Sequence, residues 1–209
     1  MPVKLKIDWC SHKAAVYAVL NWHYSGKAPC GKLVKFGVWE DDKFVGAVIY
    51  GSGATPHIGS PYNCKHGEAC ELVRVAMTNH ETPTSKVVGI TLRLMRKHFP
   101  NIRVIVSYAD TAQGHVGVIY QAGGWMYTGS AAYHAFRLHG ELIHPRTVGI
   151  TYGTKEHGGQ SIEWLRNNVD PNAEKVITGV KHKYIKVFDD SILPLIKPLP
   201  YPKKETVAA

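Results

Sequence analysis

The chain has 209 residues, 44% hydrophobic and 20% charged, a length that sustains one substantial core without disulfides or a structural metal. No apolar run approaches the roughly 20 residues of a membrane span, so no membrane partner is expected. The 25 Lys and Arg exceed the 16 Asp and Glu to give a net charge of +9, spread along the chain. That is a footprint suited to nucleic acid or a phosphate-rich cofactor, and equally to a solvated basic face.

The N-terminal Met-Pro-Val-Lys-Leu-Lys-Ile-Asp lacks the apolar region of a secretory signal. A cytoplasmic protein is therefore expected, with Cys10, Cys30, Cys64 and Cys70 as reduced thiols. Val3 to Ile7 alternates like a half-buried strand, and Ser11 is placed to cap a helix running to Trp22. That helix ends on Asn21-Trp22-His23-Tyr24-Ser25-Gly26. Its His and Tyr read either as a site edge or as an aromatic cap on the sheet. Leu33 to Trp39 and Phe44 to Tyr50 form a hairpin across a polar turn.

From Gly51 to Ala69 the composition turns to Gly, Ser, Pro, His and Cys, reading as a long surface loop of the kind that serves as lid or flap. Cys64-x-His66-x₃-Cys70 within it is looser than the CxxC pairs of zinc sites. Glu71 to Met77 is the next strand, and its Glu71 and Arg74 must be paired or face a cleft. A helix capped by Thr84 or Ser85 follows, with a basic outer face of Arg93, Arg96 and Lys97, and Pro100 stops it.

Ile102 to Ala122 is the centre of the chain: a β-branched strand delivers Asp110 to its end, and a helical segment brings His115 and Tyr120 directly after it. Asp110 reads either as a chemical group or as a helix cap. Trp125 to Gly129 is a further strand, Ala135 to Ile143 another, His144 to Val148 a basic loop, and Ser161 to Asn167 a short helix. Val180 to Phe188 alternates apolar and basic residues like an edge strand. Without a repeat or a clear linker, residues 1–209 read as a single domain, and residues 195–209 as a Pro-rich basic tail, extended on the surface or disordered.

This order of elements resembles the GNAT-type acyltransferase fold, an α/β (α+β) architecture. Its mixed central sheet, flanked by helices, splays open to admit an acyl-CoA. The pyrophosphate signature of that superfamily, Q/R-x-x-G-x-G/A, is not legible. Asn79-His-Glu-Thr-Pro-Thr-Ser-Lys86 stands in its place, leaving the helix start at Thr84, Ser85 and Lys86 as the candidate phosphate contact.

Trp22-His-Tyr-Ser-Gly26, Glu71-Leu-Val-Arg-Val75, Ser107-Tyr-Ala-Asp110, Gly114-His-Val-Gly-Val-Ile-Tyr-Gln-Ala122 with Trp125, and His144-x-Arg146 together resemble the Mom family of bacteriophage DNA-modification proteins. The resemblance implies an enzyme that converts adenine in double-stranded DNA to N6-carbamoylmethyladenine, shielding phage DNA from restriction in the host cytoplasm. It implies a site of His23, Tyr24, Arg74, Asp110 and Tyr120. Iron is an implied cofactor, with His23, Asp110 and His115 as candidate ligands, and acetyl-CoA or a related acyl-CoA an implied donor. In that site Asp110 would take a proton from the weakly nucleophilic adenine amine, Arg74 would hold an anionic group, Tyr120 would donate, and Tyr24 would stack on or bond to the base. Two other functions stay open: an acyl-CoA-dependent N-acyltransferase of a small amine, and a DNA-binding protein without catalysis. A homodimer is an open alternative to a monomer.

Overall fold

A computed structural model describes residues 3–53, 57–153 and 161–203. Strands β1 (Leu5–Trp9), β2 (Leu33–Glu40), β3 (Lys43–Gly51), β4 (Ala69–Met77), β5 (Val104–Asp110), β6 (Met126–Leu138), β7 (Glu141–Ile143) and β8 (Glu174–Val187) are hydrogen-bonded in the order β1-β2-β3-β4-β5-β8-β6-β7. β1 to β4 pair antiparallel, whereas β4 and β5 are parallel. The expected mixed sheet with flanking helices is therefore present.

Helix α1 (His12–Trp22) starts where Ser11 Oγ accepts the Ala14 N–H, as its sequence leads one to expect. Helix α2 (Thr84–His98) does not follow the expected capping: Pro83 holds the cap position and no side chain bonds there, so neither Thr84 nor Ser85 is the cap. Its Arg96, Lys97 and His98 fall in the last turn, where positive charge suits the helix dipole. Helix α3 (Val118–Ala122) is short. Helix α4 (Pro145–Tyr152) occupies what reads in the sequence as a basic loop, with His144 as N-cap and Pro145 at a position where its missing N–H costs nothing. Helix α5 (Ile162–Asn168) falls where expected.

The chain divides into two compact units, one from Met1–Ala109, His115–Gly129 and His182–Ala209, the other from Asp110–Gly114 and Ser130–Lys181. β6 and β8 run through both. In the first unit, Phe36, Val48, Tyr50, Leu72, Val88, Ile105, Tyr120, Trp125 and Tyr184 share a core on the α2 side of the sheet. Ala15, Ala18 and Val19 of α1 pack on Ala47, Ile49 and Ala76 from the other side.

The segment after β3 is not a free flap: its Ile58 and Tyr62 are buried with Val104, Val106 and Ile185. Residues 54–56 of it lie outside the described residues. β8 lies between β5 and β6, not at an edge. Its alternation comes from lysine stems crossing over apolar surface, as Lys183 does over the Tyr62 ring at 5.2 Å. The tail adheres where it is described. The Leu199 N–H donates to Tyr127 O, Tyr201 Oη to Trp125 O and Gln121 Nε2 to Pro202 O. Residues 204–209 of it lie outside the described residues.

In the second unit, Phe136, Leu138, Val148, Leu165 and Ala173 form the core. β6 and β7 turn on His139 and Gly140, both left-handed, and the buried Asp170 carboxylate accepts the His139 and Asn172 N–H groups.

Gly117 fixes the start of α3. Its φ of +81° is left-handed, and a Cβ there would run into the Tyr184 ring, whose hydroxyl donates to Val116 O. Gly117→Ala should therefore lower unfolding free energy by about 2 kcal/mol or more, from strain and overpacking together. Denaturant titration measures this, and parental stability would show that the turn relaxes freely.

Candidate active site

The site begins with an irregularity in β4. Ile49 of β3 pairs with Arg74 and Tyr50 with Leu72, so Val73 has no opposite number and forms a β-bulge. Before it Cys70 and Leu72 face the α2-side core; beyond it Val75 and Met77 do, so Arg74 is turned to the α1 side. There Arg74 Nη1 donates to Val73 O (2.7 Å) and Nη2 approaches Lys27 O (3.4 Å). Its Nε is buried without a hydrogen-bond partner. A buried cationic N–H without an acceptor is a group that an anionic ligand oxygen would complete.

β4 and β5 pair only from Ala69, Cys70 and Glu71 to Val104, Ile105 and Val106. Beyond that register one side chain spans the strands. Ser107 Oγ lies 2.9 Å from Leu72 O and 2.8 Å from Tyr120 Oη. Tyr120 is buried between Trp125 and Tyr184, with ring centroids 5.2 and 5.1 Å away. Burial pushes its phenol up to about 12, the Ser107 hydrogen bond opposes that, and Tyr24 and Glu71 add to it. Tyr120 is therefore a protonated donor at neutral pH.

The aromatic pair at the end of α1 completes this cluster. Tyr24, 53% exposed, stacks on His23 at 4.2 Å and meets His115 edge-on at 5.5 Å. His23 Nδ1 accepts the Ser25 N–H at 3.1 Å, and a backbone N–H can only donate. The neutral ring therefore carries its hydrogen on Nε2. Burial, then Arg74 and His115, lower its pKa to about 4.

The first unit thus brings together His23, Tyr24, Arg74, His115 and Tyr120. Asp110 belongs to the second unit, where Tyr133 Oη donates to both carboxylate oxygens (2.8 and 2.9 Å) and the Ala112 N–H to one of them (3.0 Å). It caps the short 3₁₀ turn Thr111–Gln113, so the capping reading holds structurally whatever chemistry it adds.

The glycine-rich motif is scaffold for Tyr120. Gly114 and Gly117 are left-handed, and Gln121 Nε2 donates to Val116 O and Tyr184 Oη. Two residues escaped sequence reasoning. Ser107 stands in the motif Ser107-Tyr-Ala-Asp110 and is polar beside an apolar run, yet neither signal gave it a role. Glu40 reads as part of a hairpin turn, yet its buried carboxylate accepts the Glu81 and Thr82 N–H groups (2.9 and 2.7 Å). Burial raises its pKa, but those hydrogen bonds with Thr82 and Glu81 outweigh it and hold the group below the usual range.

This bears on an acyl-CoA. The loop before α2 has spent two N–H groups on an anion, so it is not a cradle for a diphosphate. One phosphate fits better, at the first turn of α2. No side chain caps that turn, and Lys86 is exposed; Thr84 Oγ1 is already bonded to His80 Nε2. An iron site does not fit. Among the described residues no group of three or more His, Cys, Asp and Glu could hold a metal ion. The lone pair of His23 Nδ1 is taken by Ser25, the reverse of a metal-bound histidine that donates from its second nitrogen. His23, Asp110 and His115 are therefore not a ligand set in this structure, and neither are Cys64, His66 and Cys70.

The Mom protein family model matches residues 4–203. The chain belongs to the Mom family. A curated relative, the methylcarbamoylase mom of Escherichia phage Mu, is 24% identical over 209 residues, covering 96% of this chain and 84% of the relative. A solved structure assigned as an acetyltransferase from Acinetobacter baylyi superposes with a TM-score of 0.50 at 10% identity, covering 98% of this chain and all of that one. An N-acetyltransferase from Staphylococcus aureus gives 0.49 at 11% identity over 88% and 97%. The fold of this Mom-family chain is the mixed α/β fold of GNAT type expected from its element order.

His23 gives a pH prediction. Its folded pKa lies below its unfolded one, so the unfolded chain binds its proton first as pH falls. The stability its neutral form contributes is fully present above about 6.5 and lost as pH falls toward about 4. His23→Gln should flatten the fall in melting temperature over that window; an unchanged slope would place the titration elsewhere.

Proposed function

We propose that the chain transfers a carbamoylmethyl group to the N6 amine of adenine in double-stranded DNA, a phage-type modification that blocks host restriction. The observation carrying this reading is the family match over residues 4–203, together with the phage Mu relative named a methylcarbamoylase. The first unit supports it chemically, because His23, Tyr24, Arg74, His115 and Tyr120, all within family motifs, come together in it.

Tyr24, exposed and braced by His23 and His115, offers a face on which a purine stacks. Arg74 presents its unpartnered Nε–H to an anionic oxygen of the donor or to charge developing during transfer. Tyr120 gives its hydroxyl proton to the leaving or oxyanionic group. The adenine amine is a weak nucleophile because its lone pair is delocalised into the ring, so it must lose a proton as the new bond forms. Asp110 takes that role, as a carboxylate held by Tyr133 and Ala112 N–H. An acyl-CoA donor would rest one phosphate on the Thr84 and Ser85 N–H groups and Lys86. The open first turn of α2 also favours a second reading, acyl transfer to a small free amine; turnover without DNA would support it.

Mass spectrometry of nucleosides from cells expressing the chain should reveal N6-carbamoylmethyldeoxyadenosine. Unmodified deoxyadenosine with soluble protein present would sink the proposal. Asp110→Asn keeps the size and capping capacity of the side chain but cannot take a proton. It should stay folded and DNA-bound while modification drops about a hundredfold or more; full activity would remove Asp110 from the mechanism.

Binding to duplex DNA should weaken steeply as salt rises, because Lys and Arg release condensed counterions. Electrophoretic mobility shifts across a salt series measure this. A flat response would mean the +9 charge serves another ligand.

A further inference from the structure

We propose that Ser107 is a positioning residue for Tyr120, a hydroxyl rotor that turns its single hydrogen from the Leu72 carbonyl to the Tyr120 oxygen as Tyr120 gives up its proton. The inference rests on the reading of Tyr120 as proton donor and adds a part that neither the family match nor the fold assigns. Ser107 is completely buried, its hydroxyl set between Leu72 O at 2.9 Å and Tyr120 Oη at 2.8 Å.

A serine hydroxyl has one hydrogen and two lone pairs, a phenol can donate or accept, and a carbonyl only accepts. Two arrangements follow. With the Ser107 hydrogen on Leu72 O, the Tyr120 oxygen is without the donor that Ser107 can supply. With the Ser107 hydrogen on Tyr120, the phenol hydrogen is released toward the reacting group and the phenol oxygen is held from behind.

A phenolate can only accept, so proton loss selects the second arrangement. The step balances: the Tyr120 O–H bond breaks, its proton goes to the leaving or oxyanionic oxygen or sulfur of the donor, and the Ser107 O–H bond stays intact and rotates. Nothing is oxidised or reduced. The need is physical, because Tyr120 sits among aromatic rings that disfavour its anion, and the Ser107 hydroxyl donates to its oxygen. The position also accounts for a serine directly after the run Val104-Ile105-Val106, where a buried hydroxyl without a partner would cost stability.

The alternative is that Ser107 only pins β5 to β4 through Leu72. The test uses the full chain expressed in cells, nucleoside mass spectrometry for modification, and thermal denaturation to verify folding. Ser107→Ala and Ser107→Cys should each cut modification about tenfold or more, since alanine lacks the donor and cysteine keeps the volume with a weak one. Ser107→Thr, which keeps the hydroxyl, should restore most of it.

The deciding readout is ring acidity. Replacing Tyr120 by a fluorinated, more acidic tyrosine should recover part of the activity lost in Ser107→Cys, which a pin has no reason to do. Full activity in Ser107→Cys, or no recovery with the acidic ring, overturns the inference. Should Ser107→Ala fail to fold, the Cys and Thr variants carry the comparison. Tyr120→Phe separates the two levels of argument: an active Phe variant sinks the donor role itself, whereas an inactive one beside a fully active Ser107→Cys sinks only the rotor.

Discussion

The first unit depends on one departure from regular pairing, the parting of β4 from β5 after Glu71 and Val106. Parallel strands normally continue their ladder, and leaving it exposes backbone groups that need other partners. Two devices meet that need. The bulge at Val73 turns Arg74 to the α1 side and lets its guanidinium bond the Val73 carbonyl, and Ser107 reaches across to Leu72 O. Each substitutes a side chain for a backbone partner, and each thereby places a polar group beside Tyr120 or His23. The opening in the sheet and the chemistry around it are the same feature.

The family motifs divide into groups that act and groups that hold. Gly117 and Gln121 have conformational or hydrogen-bonding work in setting α3 against Tyr184, and Gly114 closes the 3₁₀ turn Thr111–Gln113. His144, in the last matched motif, caps α4 through the Arg146 N–H. By contrast, Tyr24 keeps half its surface exposed and Arg74 keeps a buried N–H unpartnered, features that cost stability unless a ligand uses them. A motif match alone does not separate these kinds of residue.

Much of the fold was legible in the sequence because local signals and burial agree. Ser11 before α1, the hairpin from Leu33 to Tyr50, and the β-branched run ending at Asp110 all fold as their patterns say. Errors arose where a tertiary neighbour decides. β8 looks like an edge because its lysines alternate with apolar residues, but long stems let a basic strand lie inside a sheet with its ammonium groups outside. His144 to Val148 reads as a loop for want of apolar periodicity, yet Val148, with Tyr152 packed beside it, docks the helix into a core. Of the site, the charged and aromatic members were visible as oddities in apolar surroundings. The roles of Ser107 and Glu40 were not, since serine and glutamate are unremarkable until their partners, 35 and 41 residues away, are known.

The electrostatics of the first-unit cluster limit the roles open to it. Arg74 is a cation, His23 is neutral with its hydrogen on Nε2, and Tyr120 keeps its proton up to about 12. These three are donors at neutral pH, so they steady negative charge and are poorly placed to remove a proton from an amine. Histidine would ordinarily be the first candidate for that task, but a pKa near 4 makes His23 a weak base. The cause is cumulative: burial, a neighbouring guanidinium and a second imidazole all act against a charge on this ring. An amine acceptor such as adenine therefore requires a base other than His23. A carboxylate, unlike these three groups, is a base of the kind that step requires.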